Sequence, residues 1–299
     1  MEHTSEFDTK VKKACQKKEA LFTESKGRYA VRSMFAGAFL TMSTAAGALA
    51  AQNIASINPA LSKFIFAFIF TWGLVYILFL NAELATSNMM YLTAGVFQKH
   101  IKWSKALTIL LYCGVFNLIG AMIVGAVFAH TSAFSGLEAG QFIAKVVEGK
   151  LARGNESVLL EAIVANVFVN VAILSFLLIK SDVAKLWIVI SAIFMFVYLG
   201  NEHVVANFAS FSIVKFTSVG SSLEFMNWFN MIRHWIVAFV GNWIGGGIII
   251  GLAYAYLNPS NSGTLKNTPR QDIGRFKKTS RPSSGNESNH TFVASGSLE

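Results

Sequence analysis

Charge is what this sequence has least of. Only 14% of its 299 residues are Asp, Glu, Lys or Arg, where a soluble domain carries about 25%. With 54% hydrophobic residues and a mean hydropathy of +0.50, that deficit points to a chain that crosses a membrane several times. Cysteine is nearly absent too: Cys15 sits in a lysine-rich polar segment and Cys113 in an apolar run. On any membrane plan the two fall on different sides, so neither a disulfide nor a cysteine metal set is expected. The first 28 residues are charged and carry no apolar leader core, so no signal peptide is read. A His-rich metal set, a Gly-rich phosphate loop and a nucleophile elbow are also missing, which argues against an enzyme and against any metal or cofactor. The net charge of +9 would suit nucleic acid. In a membrane protein, however, surplus Lys and Arg mark cytoplasmic segments, and no nucleic-acid partner is expected.

What is present is long apolar runs. A span needs about 20 mostly apolar residues, and six candidates emerge: 29–52, 61–98, 106–130, 158–179, 185–218 and 229–257. If residues 1–28 lie inside, 19 of the 25 Lys and Arg fall on the inner side and 6 on the outer. The outer ones are Lys63, Lys145, Lys150, Arg153, Lys215 and Arg233. By the positive-inside rule both termini are then cytoplasmic, as an even number of spans requires. Residues 8–26 predict a charged helix at the inner surface. The segment 258–299 reads as a disordered cytoplasmic tail rich in Ser, Asn and Gly, with the closing SGSLE a cloning remnant and the sequons at Asn286 and Asn289 without meaning on that side.

Spans two and five are too long for one crossing, and each is interrupted midway by polar residues, NAELATSN in one and GNEH in the other. Matching interruptions in two halves of three spans predict an inverted repeat with a central site. Backbone freed at such a break cannot face lipid, so it lines a cavity or is buried in protein. The half-helices that follow aim partial positive charge inward, which favours an anion. Glu83 is expected to tie down its half-helix by accepting backbone N–H groups, and Glu202 to act as a brace. His203, an imidazole at a break within the membrane, is the candidate functional residue. Asn58-Pro59-Ala60 spells a water-channel signature, but in a single copy before span two it reads as a helix start with Pro at the first position. Gly245, Gly246 and Gly247, with Gly241 and Gly251 at four-residue steps, read as helix packing.

The stretches NAELATSNMMYLTAG, NEHVVANF and GNWIGGGIIIGLAYAY, in this order, resemble the formate/nitrite transporter family of formate, nitrite and hydrosulfide channels over residues 28–257. The resemblance implies a homopentamer of aquaporin-like protomers, each with its own pore, in the cytoplasmic membrane. Carried over by position, the family's central histidine falls on His203 and its pore threonine, in the loop breaking the second span, on Thr86. Its lysine, asparagine and glutamate cluster, below the outer vestibule, falls on Lys150, Asn166 and Glu202. Its inner constriction falls on Phe70, Leu74 and Phe196, and its outer constriction on Leu84 and Val169. Two positions depart from the family: Ala85 stands where a Phe is frequent, and Asn201 where an aromatic is usual. Both widen or polarise the centre and leave room for other weak-acid anions.

A charge in an apolar constriction is very costly, whereas a neutral acid is not. The expected function is therefore passage of small monovalent weak-acid anions, formate first, with protons as co-substrate and His203 as relay, its unperturbed pKa of about 6.5 suiting exchange near neutrality. Nitrite or hydrosulfide transport, a neutral-solute channel and a non-transporting scaffold are the alternatives.

Overall fold

A computed structural model describes residues 5–260, and within them every regular element is helical. The expected tail beyond residue 260 lies outside the described residues. Ser5 caps α1 (Glu6–Glu24) by accepting from the Asp8 amide, and α1 buries Phe7, Val11, Cys15, Lys18 and Phe22 along one face. Cys15 fits there because residue 95 of the helix it meets is glycine; a Cβ at Gly95 would strike the Cys15 sulfur. Burial pushes the Cys15 thiol up to about 12, so it packs as a small protonated hydrophobe. Near the start of α1, Asp8 meets His100 at 2.7 Å.

Six helices are long and apolar enough to cross a membrane. They are α2 (Lys26–Ala55), α3 (Pro59–Phe79), α5 (Trp103–Ala129), α7 (Asn155–Leu178), α8 (Asp182–Leu199) and α10 (Trp228–Leu257). Asn58 caps α3 by accepting from the Ala60 amide, with Pro59 in the first turn; this is the role expected for the Asn-Pro-Ala triplet. The two over-long runs each resolve into two helices. α3 is followed by α4 (Ala85–Phe97), and α8 by α9 (Val204–Lys215). The interruptions are not midway: α3 has 21 residues to 13 in α4, and α8 has 18 to 12 in α9. Gly200 closes α8 in the left-handed region at φ 81°, a conformation that favours glycine.

One helix was not expected. α6 (Phe142–Leu151) occupies what reads in the sequence as loop, and it carries Lys150. Within α10, residues Trp243–Leu252 widen into a π-helical stretch around the glycine run. A Cβ at Gly245 would run into the Ile163 carbonyl of α7, and one at Gly246 into the amides of Asn166 and Asn170. The glycines are there to let α10 and α7 touch backbone to side chain.

The packing repeats itself. α2 packs on α3 and α5, as α7 packs on α8 and α10. Each short helix crosses over: α4 lies on the π-helical stretch of α10, and α9 lies on α5. Both interruptions are thereby brought to the centre of the bundle, away from its apolar periphery.

Candidate functional site

The two interruptions are pinned by two asparagines that do the same thing. In the first, Asn117 of α5 accepts from the Ala85 amide at 2.8 Å and donates to the carbonyls of Glu83 at 2.9 Å and Ser33 at 2.7 Å. In the second, Asn242 of α10 accepts from the Val204 amide at 2.8 Å and donates to the carbonyls of Glu202 at 2.9 Å and Ala162 at 2.7 Å. Backbone groups that leave a helix inside an apolar bundle need partners, and one carboxamide supplies three. In the sequence each is only a polar letter in an apolar helix.

The two glutamates are also placed alike. Glu83 receives Lys18 at 2.7 Å, the Tyr29 hydroxyl at 3.2 Å and Asn88, five residues on, at 3.2 Å. It does not cap the short helix by taking backbone N–H groups, as the sequence suggested; Asn117 has that task, and the carboxylate turns instead to a cation from α1. Glu202 is 0% exposed. It receives Lys150 at 2.6 Å, Asn207, again five residues on, at 2.8 Å, and Arg153. Arg153 also pairs with Glu161.

The trio of Lys150, Asn166 and Glu202 is therefore only two-thirds assembled. Asn166 faces the other way from α7, donating to the carbonyls of Asn242 at 2.7 Å and Thr86 at 3.3 Å. The amide that completes the Glu202 cluster is Asn207, carried one turn into the helix that Glu202 itself precedes. Arg153 and Asn207 escaped the sequence reading: the first looked like one more outer charge, the second like a polar residue in a short apolar helix.

His203 caps α9, its Nδ1 accepting from the Ala206 amide at 3.1 Å. Nδ1 is then unprotonated, so a neutral ring carries its proton on Nε2. Nε2 lies 2.8 Å from the Thr86 hydroxyl oxygen and donates to it, which leaves the Thr86 hydroxyl proton free for another acceptor. Thr86 sits in the first turn of α4 rather than in the loop before it. Leu84, the residue before α4, offers no capping side chain of its own.

Two cavities lie near His203, and only the smaller reaches it. The larger, about 330 Å³, opens beside Lys150 and is lined by Lys63, Lys145, Arg153, Asn201 and Asn207 as well as by Phe70 and Phe196. The smaller, about 10 Å³, is walled by Leu40, Phe70, Leu74, Leu84, Val169, Ile193, Phe196 and His203. That volume is near the minimum for a single water. All five residues expected at constrictions are thus gathered around His203, but their grouping differs from the expectation. Phe70 and Phe196, whose rings meet edge to face at 6.2 Å, wall both cavities and so separate the Lys150 cavity from the histidine. They stand on the lysine's side and not across the molecule from it. Leu74, Leu84 and Val169 line only the small cavity.

The profile of the formate/nitrite transporter family matches residues 5–256. The uncharacterized transporter YrhG of Bacillus subtilis is 33% identical over 65% of this chain and 71% of its own length. The formate channel BtFdhC of Bacillus thuringiensis is 32% identical over 62% of this chain and 70% of its own length. Among solved structures, an FNT family ion channel superposes with a TM-score of 0.78 at 20% identity, over 84% of this chain and 98% of its own. A pentameric formate channel with formate bound gives 0.67 at 20% identity, over 77% and 96%.

Proposed function

This chain belongs to the formate/nitrite transporter family, and from that premise we propose that it is a channel for small monovalent weak-acid anions, formate first, that moves the anion together with a proton. The observation that carries this reading is His203, held 2.8 Å from the Thr86 hydroxyl, at the wall of a cavity otherwise apolar and next to a cavity rich in Lys and Arg.

The chemistry follows from cost. Lys63 and Lys145 raise the anion's concentration in the larger cavity, at whose wall Lys150 and Arg153 are held by Glu202. Beyond the Phe70 and Phe196 rings an anion has no counter-charge, and a bare carboxylate in low dielectric costs several kcal/mol or more. Low dielectric favours the neutral form of an acid, so the anion takes up a proton at this boundary and crosses Leu74, Leu84 and Val169 as the uncharged acid. The Thr86 hydroxyl, freed by accepting from Nε2, donates to a substrate oxygen. When the ring takes part, a proton from water adds at Nδ1, at the expense of the Ala206 bond. The Nε2 proton then passes through the Thr86 hydroxyl to the carboxylate oxygen, and the imidazole is left neutral as its other tautomer.

The protomer is read as an inverted repeat of three spans plus three with an aquaporin-like course, the second and fifth spans broken. The Asn117 and Asn242 bonds support this, as do Glu83 with Asn88 and Glu202 with Asn207. Gly120 and Gly245 agree, three residues after each asparagine: a Cβ there would strike the carbonyls of Met34 and Ile163, residues that follow Ser33 and Ala162. The Lys and Arg asymmetry supports cytoplasmic termini in the cytoplasmic membrane, which puts the Lys150 cavity outside. By likeness to the pentameric formate channel, the assembly is a homopentamer in a lipid bilayer.

The test is flux. Purified protein in liposomes, challenged with formate, nitrite, hydrosulfide, lactate and glycerol, should pass the weak acids with a change of internal pH and exclude glycerol. His203→Ala should lower pH-dependent formate flux on the order of 100-fold. Swelling in glycerol alone, or a variant as fast as the parent, would remove the reading.

A further inference from the structure

His234 lies in the wall of the Glu202 cluster, and the mechanism above does not use it. It is 0% exposed, and neither ring nitrogen has a hydrogen-bond partner. Its Nε2 stands 3.5 Å from Oε2 of Glu202, and the Phe211 ring covers it at 5.2 Å. Buried polar groups are nearly always hydrogen-bonded, so an imidazole orphaned at both nitrogens beside a carboxylate calls for a reason.

The charges around it supply one. From α6 comes Lys150, and from just beyond that helix Arg153; from α7 comes Glu161, and from the second break Glu202. From α9 the neighbours are Phe211 and Asn207, and the Lys215 ammonium donates to the Met226 carbonyl. On its own helix, Arg233 is spent on the carbonyls of Leu151 and Arg153 and on Asn155. Lys150 and Arg153 are balanced by Glu202 and Glu161. Lys150 is moreover occupied, by the carboxylate and by the Asn201 carbonyl at 3.2 Å. A lysine so engaged offers little to an anion in the cavity it lines. A proton on His234 changes both facts: the cluster gains one positive charge, and Oε2 of Glu202 gains a second cationic partner.

Resting on the channel reading, we propose that His234 is a positioning residue whose protonation draws the Glu202 carboxylate from Lys150 and so releases the ammonium to bind an anion in the outer cavity. Anion capture then depends on pH through His234, separately from proton transfer at His203.

Nitrate is the probe, because it stays an anion at every pH used. Its inhibition constant against formate uptake is measured in liposomes at equal pH on both sides, from pH 5.5 to 7.5. In the wild type the constant should rise with pH by about tenfold, a common size for coupling between sites. In His234→Gln and His234→Asn it should stay flat, while the pH dependence of maximal formate flux persists. A second measurement needs no His234 variant: the infrared carboxylate band that Glu202→Gln abolishes should shift in the wild type over the same pH interval. A flat nitrate constant in the wild type, the same pH course in both variants, or a carboxylate band that does not move would overturn the role of His234. Loss of all formate flux in the wild type would instead sink the channel reading, and the infrared band would still decide whether His234 and Glu202 are coupled.

Discussion

Asn117 and Asn242 each hold three backbone groups that would otherwise be stranded in an apolar bundle. Asn242→Leu keeps the bulk and removes every one of those bonds. Each stranded group costs about 1–3 kcal/mol, so a sharp fall in thermal midpoint in detergent is expected, together with loss of formate flux; an unchanged midpoint would show that the break holds itself. At this scale the sequence was legible where a residue is anomalous by itself. His203 and Glu202 stand out because ionisable groups inside a membrane are expensive. An asparagine in an apolar helix is ambiguous until its partners are known, and those partners lie 32 to 84 residues away in the chain. The same ignorance of partners put Asn166 with Lys150, when α7 turns it toward Thr86 and Asn242. It also hid Asn207, Arg153 and His234.

The elements were legible from apolar length, and the two over-long runs from their polar interruptions. The sequence missed α6, whose ten residues are too few and too polar to read as a span, although they carry Lys150 to Glu202. Helix contacts are the other hidden layer. A methyl group at Gly245 meets the backbone carbonyl of Ile163, and α7 would have to move to admit it. Gly245→Ala is expected to lower the thermal midpoint by several degrees, as roughly 2 kcal/mol does for a domain of 150–250 residues. Gly149→Ala is the control: nothing lies within 4 Å of its added Cβ, and in a helix interior it should be neutral or slightly stabilising. Equal midpoints for the two variants would mean that α7 and α10 are not in the close contact described.

For the molecule as a whole, the charge deficit and the long apolar runs sufficed for membrane class, because transfer free energies act residue by residue. How the constrictions are ordered could not be read that way. Phe70 and Leu74 are one helical turn apart, yet only Phe70 also walls the lysine cavity; that order depends on how α3 packs against α8. The central claim is that substrate passes the apolar ring only as a neutral acid. Formate uptake into proteoliposomes held at set membrane potentials, with internal and external pH fixed independently, tests it most directly. Uptake should follow the pH difference, take in one proton with each formate, and ignore the potential. Uptake that scales with potential and carries a net current would contradict the account.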